Sequence, residues 1–356
     1  LHTYAVSADK TRIAVLGASG YAGGEVLRLL APRTDVEVTF LGARWSAGRS
    51  LADAHPHLAS VPFAGLPLQT VDADTVAASA DVVFSSLPHG ESARLAPRML
   101  DAGLRIIDLA GDFRLPADLY PEWYGFDHPA TAWIDKAVYG LPELFGDRTE
   151  GAQLIANPGC FPTPVILGCA PLLTAGLIEP GPILVDGKTG LSGAGKAANE
   201  STIYTASQDS VRPYRLPRHQ HTPEMERGIE LATGISPRVL FAPHLVPTVR
   251  GVVVTCYAPA APGVSSEQLT DTLVAAYTGR PFVRVLPPPQ MADSKRVRGT
   301  NVVELQAVVD PRTGTAVVIG ALDNLVKGAA GQALQNFNLS QGLDEATALP
   351  TLAVYP

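Results

Sequence analysis

A cysteine mounted on a tight turn is a candidate nucleophile, and Cys160 stands on one. Leu154-Ile155-Ala156 reads as a short buried strand and Asn157-Pro158-Gly159 as a turn. Phe161-Pro162-Thr163-Pro164, followed by Val165-Ile166-Leu167, reads as a helix start. The free N–H groups and positive end of a helix favour thiolate over thiol, so the position predicts an ionised sulfur. An inert, buried cysteine is the alternative use of the same residue. The second chemical stretch is Arg215-Leu216-Pro217-Arg218-His219-Gln220-His221-Thr222-Pro223-Glu224. Thr222 is expected to cap a helix, with Pro223 at its first position and Glu224 in its first turn. His219 and His221 then precede a helix N-terminus, whose dipole keeps an imidazole neutral and able to accept a proton. His-x-His can also ligate a metal, but no third ligand stands out and no metal is expected. Arg114, in Gly111-Asp112-Phe113-Arg114, is a candidate for an anionic substrate group; a pair with Asp108 or Asp112 is its structural alternative.

These groups need a frame, and the N-terminal part supplies a nucleotide-binding one. Arg12 to Leu16 reads as a buried strand entering Gly17-Ala18-Ser19-Gly20-Tyr21-Ala22-Gly23-Gly24 and then a helix. Glycines there let backbone N–H groups of Gly17, Ser19, Gly20, Tyr21, Ala22 and Gly23 approach a pyrophosphate at the helix N-terminus. The next strand, Val36 to Leu41, ends in Gly42-Ala43-Arg44-Trp45-Ser46 with no acid for a ribose hydroxyl. Arg44 and Ser46 suit a 2′-phosphate instead, which predicts NADP(H). After strand Asp81–Ser86, the residues Ser86, Leu87 and Pro88 are expected to touch the cofactor, and Arg105–Asp108 is a further strand. A long segment, Leu115 to Phe145, reads as a lid, a substrate wall or a subunit contact.

Past Cys160 the pattern changes to long strands with fewer helices: Ile183–Asp186, Val239–Ala242, Val252–Tyr257, Val283–Val285, Asn301–Val309 and Ala316–Ala321. A helix over Glu267–Tyr277, capped by Ser266, lies among them. The expected fold is therefore α/β: a Rossmann-type dinucleotide-binding domain plus an α+β domain with a mostly antiparallel sheet. Residues 1–160 and 325–356 would form the first domain and 161–324 the second, which carries catalysis, substrate and oligomer contacts. Gly187 to Lys196 reads as a second glycine-rich loop that could hold phosphate, with Lys188 and Ser192 as substrate contacts and Gly193 beside the cofactor. The last helix begins at Asn324, is rich in small residues, and is expected to pack back beside the cofactor.

The whole chain narrows the function classes. Its 356 residues are enough for two cores, and 46% hydrophobic with 17% charged content describes a globular protein. A net charge of −7 without a basic block argues against nucleic acid. Three cysteines without a Cys-x-x-Cys pair argue against a disulfide frame or zinc cluster. No run approaches membrane-spanning length and the N-terminus lacks a signal peptide's apolar core, so a cytoplasmic protein without a membrane partner is expected. The start, Leu1-His2-Thr3-Tyr4, is set aside from the fold.

A dinucleotide-binding half, a turn-mounted cysteine and a histidine together suggest covalent redox catalysis. Thiolate attack on an activated acyl group gives a thioester, and hydride from a reduced nicotinamide yields an aldehyde. Backbone N–H groups at the helix start could hold each oxyanion. At this point the chain resembles the N-acetyl-gamma-glutamyl-phosphate reductases of arginine biosynthesis. The resemblance runs through Gly17-Ala18-Ser19-Gly20-Tyr21-Ala22-Gly23, Ser86-Leu87-Pro88-His89-Gly90, Gly111-Asp112-Phe113-Arg114, Asn157-Pro158-Gly159-Cys160, His219-x-His221-x-Pro223-Glu224 and Lys327-Gly328-Ala329-Ala330-Gly331-Gln332-Ala333. Pro164 departs from it, where relatives carry a small residue. The resemblance implies NADPH-dependent reduction of a small acidic acyl phosphate, N-acetyl-L-glutamyl 5-phosphate, by a homo-oligomer, with a tetramer expected. It implies Cys160 as nucleophile and His219 as proton-transfer residue, with His221 and Glu224 orienting the base or binding substrate; Asn157 belongs to the substrate site. Sister acyl-phosphate reductases, acting on aspartyl or aminoadipyl phosphate, are the nearest alternative. A non-catalytic NADP sensor is a further one, and it predicts cofactor binding without turnover.

Overall fold

The computed structural model describes residues 10–355, so the start set aside above lies outside the described residues. The first sheet holds β1 (Thr11–Leu16), β2 (Val36–Gly42), β3 (Leu68–Gln69), β4 (Val82–Ser85), β5 (Arg105–Asp108), β6 (Val138–Tyr139) and β7 (Leu154–Ala156) in the order β3-β2-β1-β4-β5-β7-β6. Every pairing in it is parallel. Both of its faces are covered, which is why its strands read as continuous apolar runs. Ile13 and Val15 pack with Val26 and Leu30 of the helix Tyr21–Leu30 and with Leu334 and Phe337 of the helix Gly331–Ser340. Ala14 and Leu16 pack on the other side with Val76, Ala96 and Met99. The C-terminal helix therefore returns to the first sheet, as its small residues predict. A π-helical turn, Val326–Ala330, precedes it.

The segment from Leu115 to Phe145 is built rather than loose. It contains short helices at Tyr120–Trp123 and Thr131–Ile134, the edge strand β6, and the start of the helix Pro142–Thr149. Tyr120 donates its hydroxyl to Gly111 O at 3.0 Å, so the segment is tied to the strand β5 exit. Its Tyr139 hydroxyl donates to Glu224 at 2.9 Å.

The second sheet holds β8 (Pro182–Gly190), β9 (Arg212–Pro213), β10 (Arg238–Val246), β11 (Val252–Pro259), β12 (Val283–Val285), β13 (Val303–Asp310) and β14 (Thr315–Leu322) in the order β12-β13-β14-β11-β8-β10-β9. Four of its six pairings are antiparallel, and β8–β10 and β12–β13 are parallel. Helices Pro162–Thr174, His221–Thr233 and Ser266–Tyr277 bury one face, through Leu167, Leu172, Met225, Ile229, Leu269 and Leu273 against Val185, Phe241 and Val254. Cys169 and Cys256 lie inside this core as ordinary buried apolar groups. The opposite face exposes Leu184, Leu240 and Tyr257, which neighbour one another across β10, β8 and β11.

Three local expectations shift. Strand β8 continues to Gly190, so Gly187-Lys188-Thr189-Gly190 is strand, not phosphate loop; small residues are required because an added Cβ at Gly187 would meet Phe161 at 2.6 Å. The cap of the helix Ser266–Tyr277 is Ser265, paired with Gln268 in a reciprocal capping box, one residue before the expected Ser266. The histidine helix starts at His221, which leaves Thr222 inside its first turn with an unpartnered hydroxyl instead of at the cap.

Candidate active site

Strand β7 delivers Asn157 to the rim of the first sheet, and the helix Pro162–Thr174 begins just beyond Cys160 with Pro162 in its first turn, where the missing N–H costs nothing. The turn between them is held at Asn157, Gly159 and Thr163. Asn157 N donates to Asp108 O (2.9 Å), and Thr163 N and Oγ1 both donate to Gly159 O (3.2 and 3.0 Å). The Asn157 side chain donates to Ala329 O (3.1 Å) and accepts from Asn336 Nδ2 (3.0 Å), joining the turn to the C-terminal helix. Those bonds make Asn157 part of the turn's framework. Behind the nucleophile, an added Cβ at Gly328 would lie 2.7 Å from Cys160 Cβ, so only glycine lets the π-helical turn close on it.

The clamp that brings the histidines here is Glu224. Its Oε1 accepts from Gly159 N (2.7 Å) and from the Tyr139 hydroxyl (2.9 Å), and its Oε2 accepts from Arg114 Nη1 (3.1 Å). Arg114 also donates from Nε to Asn157 O (2.7 Å) and from Nη2 to Leu109 O (3.1 Å). The pair is buried, and three of the five Arg114 donors hold this scaffold together. Neither sequence-adjacent acid is its partner, because Asp108 accepts the N–H groups of Gly111 and Asp112 and Asp112 accepts those of Gly90 and Ala93. Burial, then the neighbouring Asp112, pushes Asp108 up to about 6.

Glu224 seats both imidazoles. An added Cβ at Gly159 would lie 2.5 Å from His221 Nε2, so that ring rests directly on the cysteine turn. His219 and His221 rings are 4.7 Å apart, and His219 packs edge-on against Phe241 (5.2 Å) and Tyr214 (5.4 Å). His219 Nδ1 accepts the His221 N–H at 3.1 Å, which leaves the proton of the neutral ring on Nε2. Burial lowers His219 to about 3, helped by Arg215 and His89, and burial also lowers His221, helped by His219 and Arg114. Desolvation first, then neighbouring charges, holds both rings neutral.

The sulfur departs from expectation. Burial pushes the Cys160 thiol up to about 12, Arg114 opposes this, and Glu224 reinforces it. The resting group is a thiol beside neutral imidazoles, and its proton must leave in concert with substrate attack. Alkylation of Cys160 in the free protein by iodoacetamide is therefore expected to keep rising with pH, about tenfold per unit from roughly pH 7 to 9. A rate plateau between those values would show a preformed thiolate–imidazolium pair.

The dinucleotide cleft fits its expected cofactor. Gly17 takes φ +78°, and an added Cβ there would lie 2.2 Å from Ser86 O, so the β1 and β4 exits approach closely only through glycine. The helix Tyr21–Leu30 begins at Gly20 with no side-chain cap and no acidic residue in its first turn, leaving Tyr21 and Ala22 N–H groups for an anion. Ser86 and Leu87 are half-buried and Pro88 exposed at the β4 exit. Arg44 lies exposed over the Trp45 ring, 5.0 Å from its centre, and makes no ion pair among the described residues; Ser46 is half-buried beside them. In the other half, Ser192 Oγ accepts from Asn324 Nδ2 (2.9 Å) and Gly251 N donates to Asn324 Oδ1 (2.8 Å), so Asn324 and the Ser192-Gly193 turn move as one unit. Lys188 does not join the site. Gly187 faces Phe161, so Lys188 points to the sheet's opposite face, paired with Asp186. No metal-ligating cluster occurs among the described residues.

Tyr139 carries no sequence signal of its own, since nothing in a tyrosine within a proline-rich segment announces a bond to Glu224. Gly328 and Lys327 stand in the Lys327–Ala333 stretch named above, but nothing in it announces what they touch. The buried pair of Lys327 with Glu143 (2.5 Å), shared with Gln335, likewise anchors the π-helical turn to the helix Pro142–Thr149.

A cysteine turn clamped to a histidine helix above a parallel nucleotide-type sheet defines the semialdehyde-dehydrogenase class. The family model described as "Semialdehyde dehydrogenase, NAD binding domain" matches residues 12–152, and "Semialdehyde dehydrogenase, dimerisation domain" matches 160–324. Aspartate semialdehyde dehydrogenase II of Vibrio cholerae, complexed with ASA, shares the fold at TM-score 0.70 and 19% identity, over 93% of this chain and 98% of that one. The Candida albicans enzyme with NADP does so at TM-score 0.69 and 18% identity, over 94% and 99%. Full-length relatives narrow the class. The N-acetyl-gamma-glutamyl-phosphate reductase of Magnetococcus marinus is 42% identical over 97% of this chain and 99% of its own length. That of Synechocystis is 41% identical over 98% and 99%. The chain belongs to the N-acetyl-gamma-glutamyl-phosphate reductase family.

Proposed function

We propose that this protein reduces N-acetyl-L-glutamyl 5-phosphate to N-acetyl-L-glutamate 5-semialdehyde with NADPH, releasing phosphate, as a step of arginine biosynthesis in the cytoplasm. The observation that carries the reading is the Glu224 clamp, which binds the histidine helix to the backbone of the cysteine turn. Among the described residues, 10–160 with 325–355 are assigned to the NADP-binding domain, and 161–324 to the catalytic and oligomerising one. Gly17 to Gly23 and Ser86 to Pro88 hold the dinucleotide, Arg44 and Ser46 its 2′-phosphate, and Gly193 and Asn324 its nicotinamide end.

Cys160 attacks the acyl carbon; the C–S bond forms as the bond to the phosphate oxygen breaks, and the thiol proton passes to His219. Taking it on Nε2 requires that the ring first move its own proton to Nδ1 and release the His221 N–H. The Cys160 and Phe161 N–H groups are assigned to the developing oxyanion, because Pro162 and Pro164 have no N–H and that of Thr163 is bonded to Gly159 O. When bound, NADPH supplies the hydride that turns the thioester into the aldehyde. His219 then returns its proton to the departing sulfur, and His221 with Glu224 keeps the turn in register throughout. The test is the reverse reaction: oxidation of N-acetylglutamate semialdehyde with NADP and phosphate should outpace that of aspartate semialdehyde by orders of magnitude. Preference for aspartate semialdehyde would move the protein to a sister activity.

We place self-association on the exposed face of the second sheet, with a tetramer as the full assembly. Leu184, Leu240 and Tyr257 form a contiguous apolar patch there, and the matching family description names this half a dimerisation domain. Leu240→Asp is expected to shift the mass measured by light scattering to that of a smaller species, with the circular-dichroism spectrum unchanged. A wild-type mass in the variant would place the contact elsewhere.

A further inference from the structure

We infer that Lys196, sent across from the catalytic half, supplies the cation that closes over the cofactor's pyrophosphate; the inference rests on the NADP(H) reading of the cleft. The glycine loop, residues 17–24, contains no charged side chain. The nearest acid, Glu25, is buried and engaged with Arg28 (2.8 Å) and Arg250 (2.9 Å), so neither arginine is free for a ligand. A helix N-terminus offers about half a positive charge, whereas a dinucleotide pyrophosphate carries two negative ones. Something else must balance it.

Lys196 stands where that charge is needed. It follows the turn Leu191–Ala194, and its Nζ donates to Ser19 O (3.2 Å) and Ala54 O (2.9 Å). Ser19 directly precedes Gly20, the residue at which the helix N-terminus opens. An ammonium has three donors and here meets two neutral carbonyls, with no carboxylate in ion-pair range among the described residues. Phosphate oxygens are the stronger partner for it. The base of its loop is anchored, since Ser192 N donates to Val249 O (3.1 Å) and its hydroxyl accepts from Asn324. Cofactor seated in the first half would thereby be gripped by the second.

The experiment measures dissociation constants of NADPH and NADH by nicotinamide fluorescence for wild type, Lys196→Gln and Lys196→Arg. Glutamine keeps a donor on a side chain one bond shorter but carries no charge, and Lys196→Arg controls for the carbonyl contacts. The expected result is a loss of about 10- to 100-fold for both nucleotides in the glutamine variant, with their ratio unchanged and arginine restoring most of the affinity. Salt should weaken binding to wild type more steeply than to the glutamine variant. Wild-type affinity in Lys196→Gln would overturn the inference, as would a loss confined to NADPH, which would put the ammonium at the 2′-phosphate. Failure of the wild type itself to bind either nucleotide would instead remove the cofactor reading beneath it.

Discussion

Cys160→Ser is expected to lower turnover by about 10⁴-fold or more while leaving NADPH affinity within about twofold of wild type. A serine hydroxyl is similar in size but far less acidic and less nucleophilic than a thiol. The site gives it no compensating help, because the environment already pushes the Cys160 thiol up to about 12 and neither imidazole is charged at rest. The substitution leaves the backbone bonds of the turn in place, so folding and cofactor binding should survive. Steady-state rates in both directions, with a fluorescence titration of NADPH, separate these expectations. Rates within tenfold of wild type would mean that no covalent step passes through this residue.

Glu224→Ala is expected to damage both activity and stability. It removes the acceptor of the Gly159 N–H and of the Tyr139 hydroxyl, and it strands the Arg114 guanidinium in the interior. Breaking one side of a buried ion pair costs about 3–5 kcal/mol. Glu224→Gln is the sharper probe, since it keeps the volume and an acceptor for Gly159 but loses the charge facing Arg114. Urea unfolding midpoints and kcat at a temperature where each variant is folded should both fall, with kcat falling further than the fraction folded. An unchanged kcat in Glu224→Gln would show that the clamp contributes stability only.

Much of this site was legible before any fold was known, for a physical reason. Residues that do chemistry at a turn need local backbone signals, and Asn157-Pro158-Gly159 before Cys160, like the glycines from Gly17 to Gly23, writes those signals into adjacent positions. The alternation of apolar runs likewise fixed most strands to within a few residues. Partnerships across the fold left no such trace. Arg114 could be read as a cation for substrate or for a neighbouring acid, and only the approach of the histidine helix's first turn to Gly159 identifies Glu224 as its partner. Lys188 looked like part of a glycine loop because Gly187 and Gly190 flank it; those glycines make room for Phe161 and for the Val249–Arg250 backbone, and the lysine faces the other way. The ionisation of Cys160 was misjudged for a related reason. A helix start favours thiolate by about 0.3 to 1 kcal/mol, and loss of water around the sulfur, with Glu224 nearby, outweighs it.

The central claim, an acyl group carried on one sulfur, is open to direct inspection. The protein is mixed with N-acetyl-L-glutamyl 5-phosphate without NADPH, quenched in acid, and analysed by intact-mass and peptide-mapping mass spectrometry. The account predicts one N-acetylglutamyl adduct per chain, located on Cys160, sensitive to hydroxylamine and discharged when NADPH is added before the quench. An unmodified chain under conditions of full turnover, or an adduct that NADPH does not discharge, would contradict it.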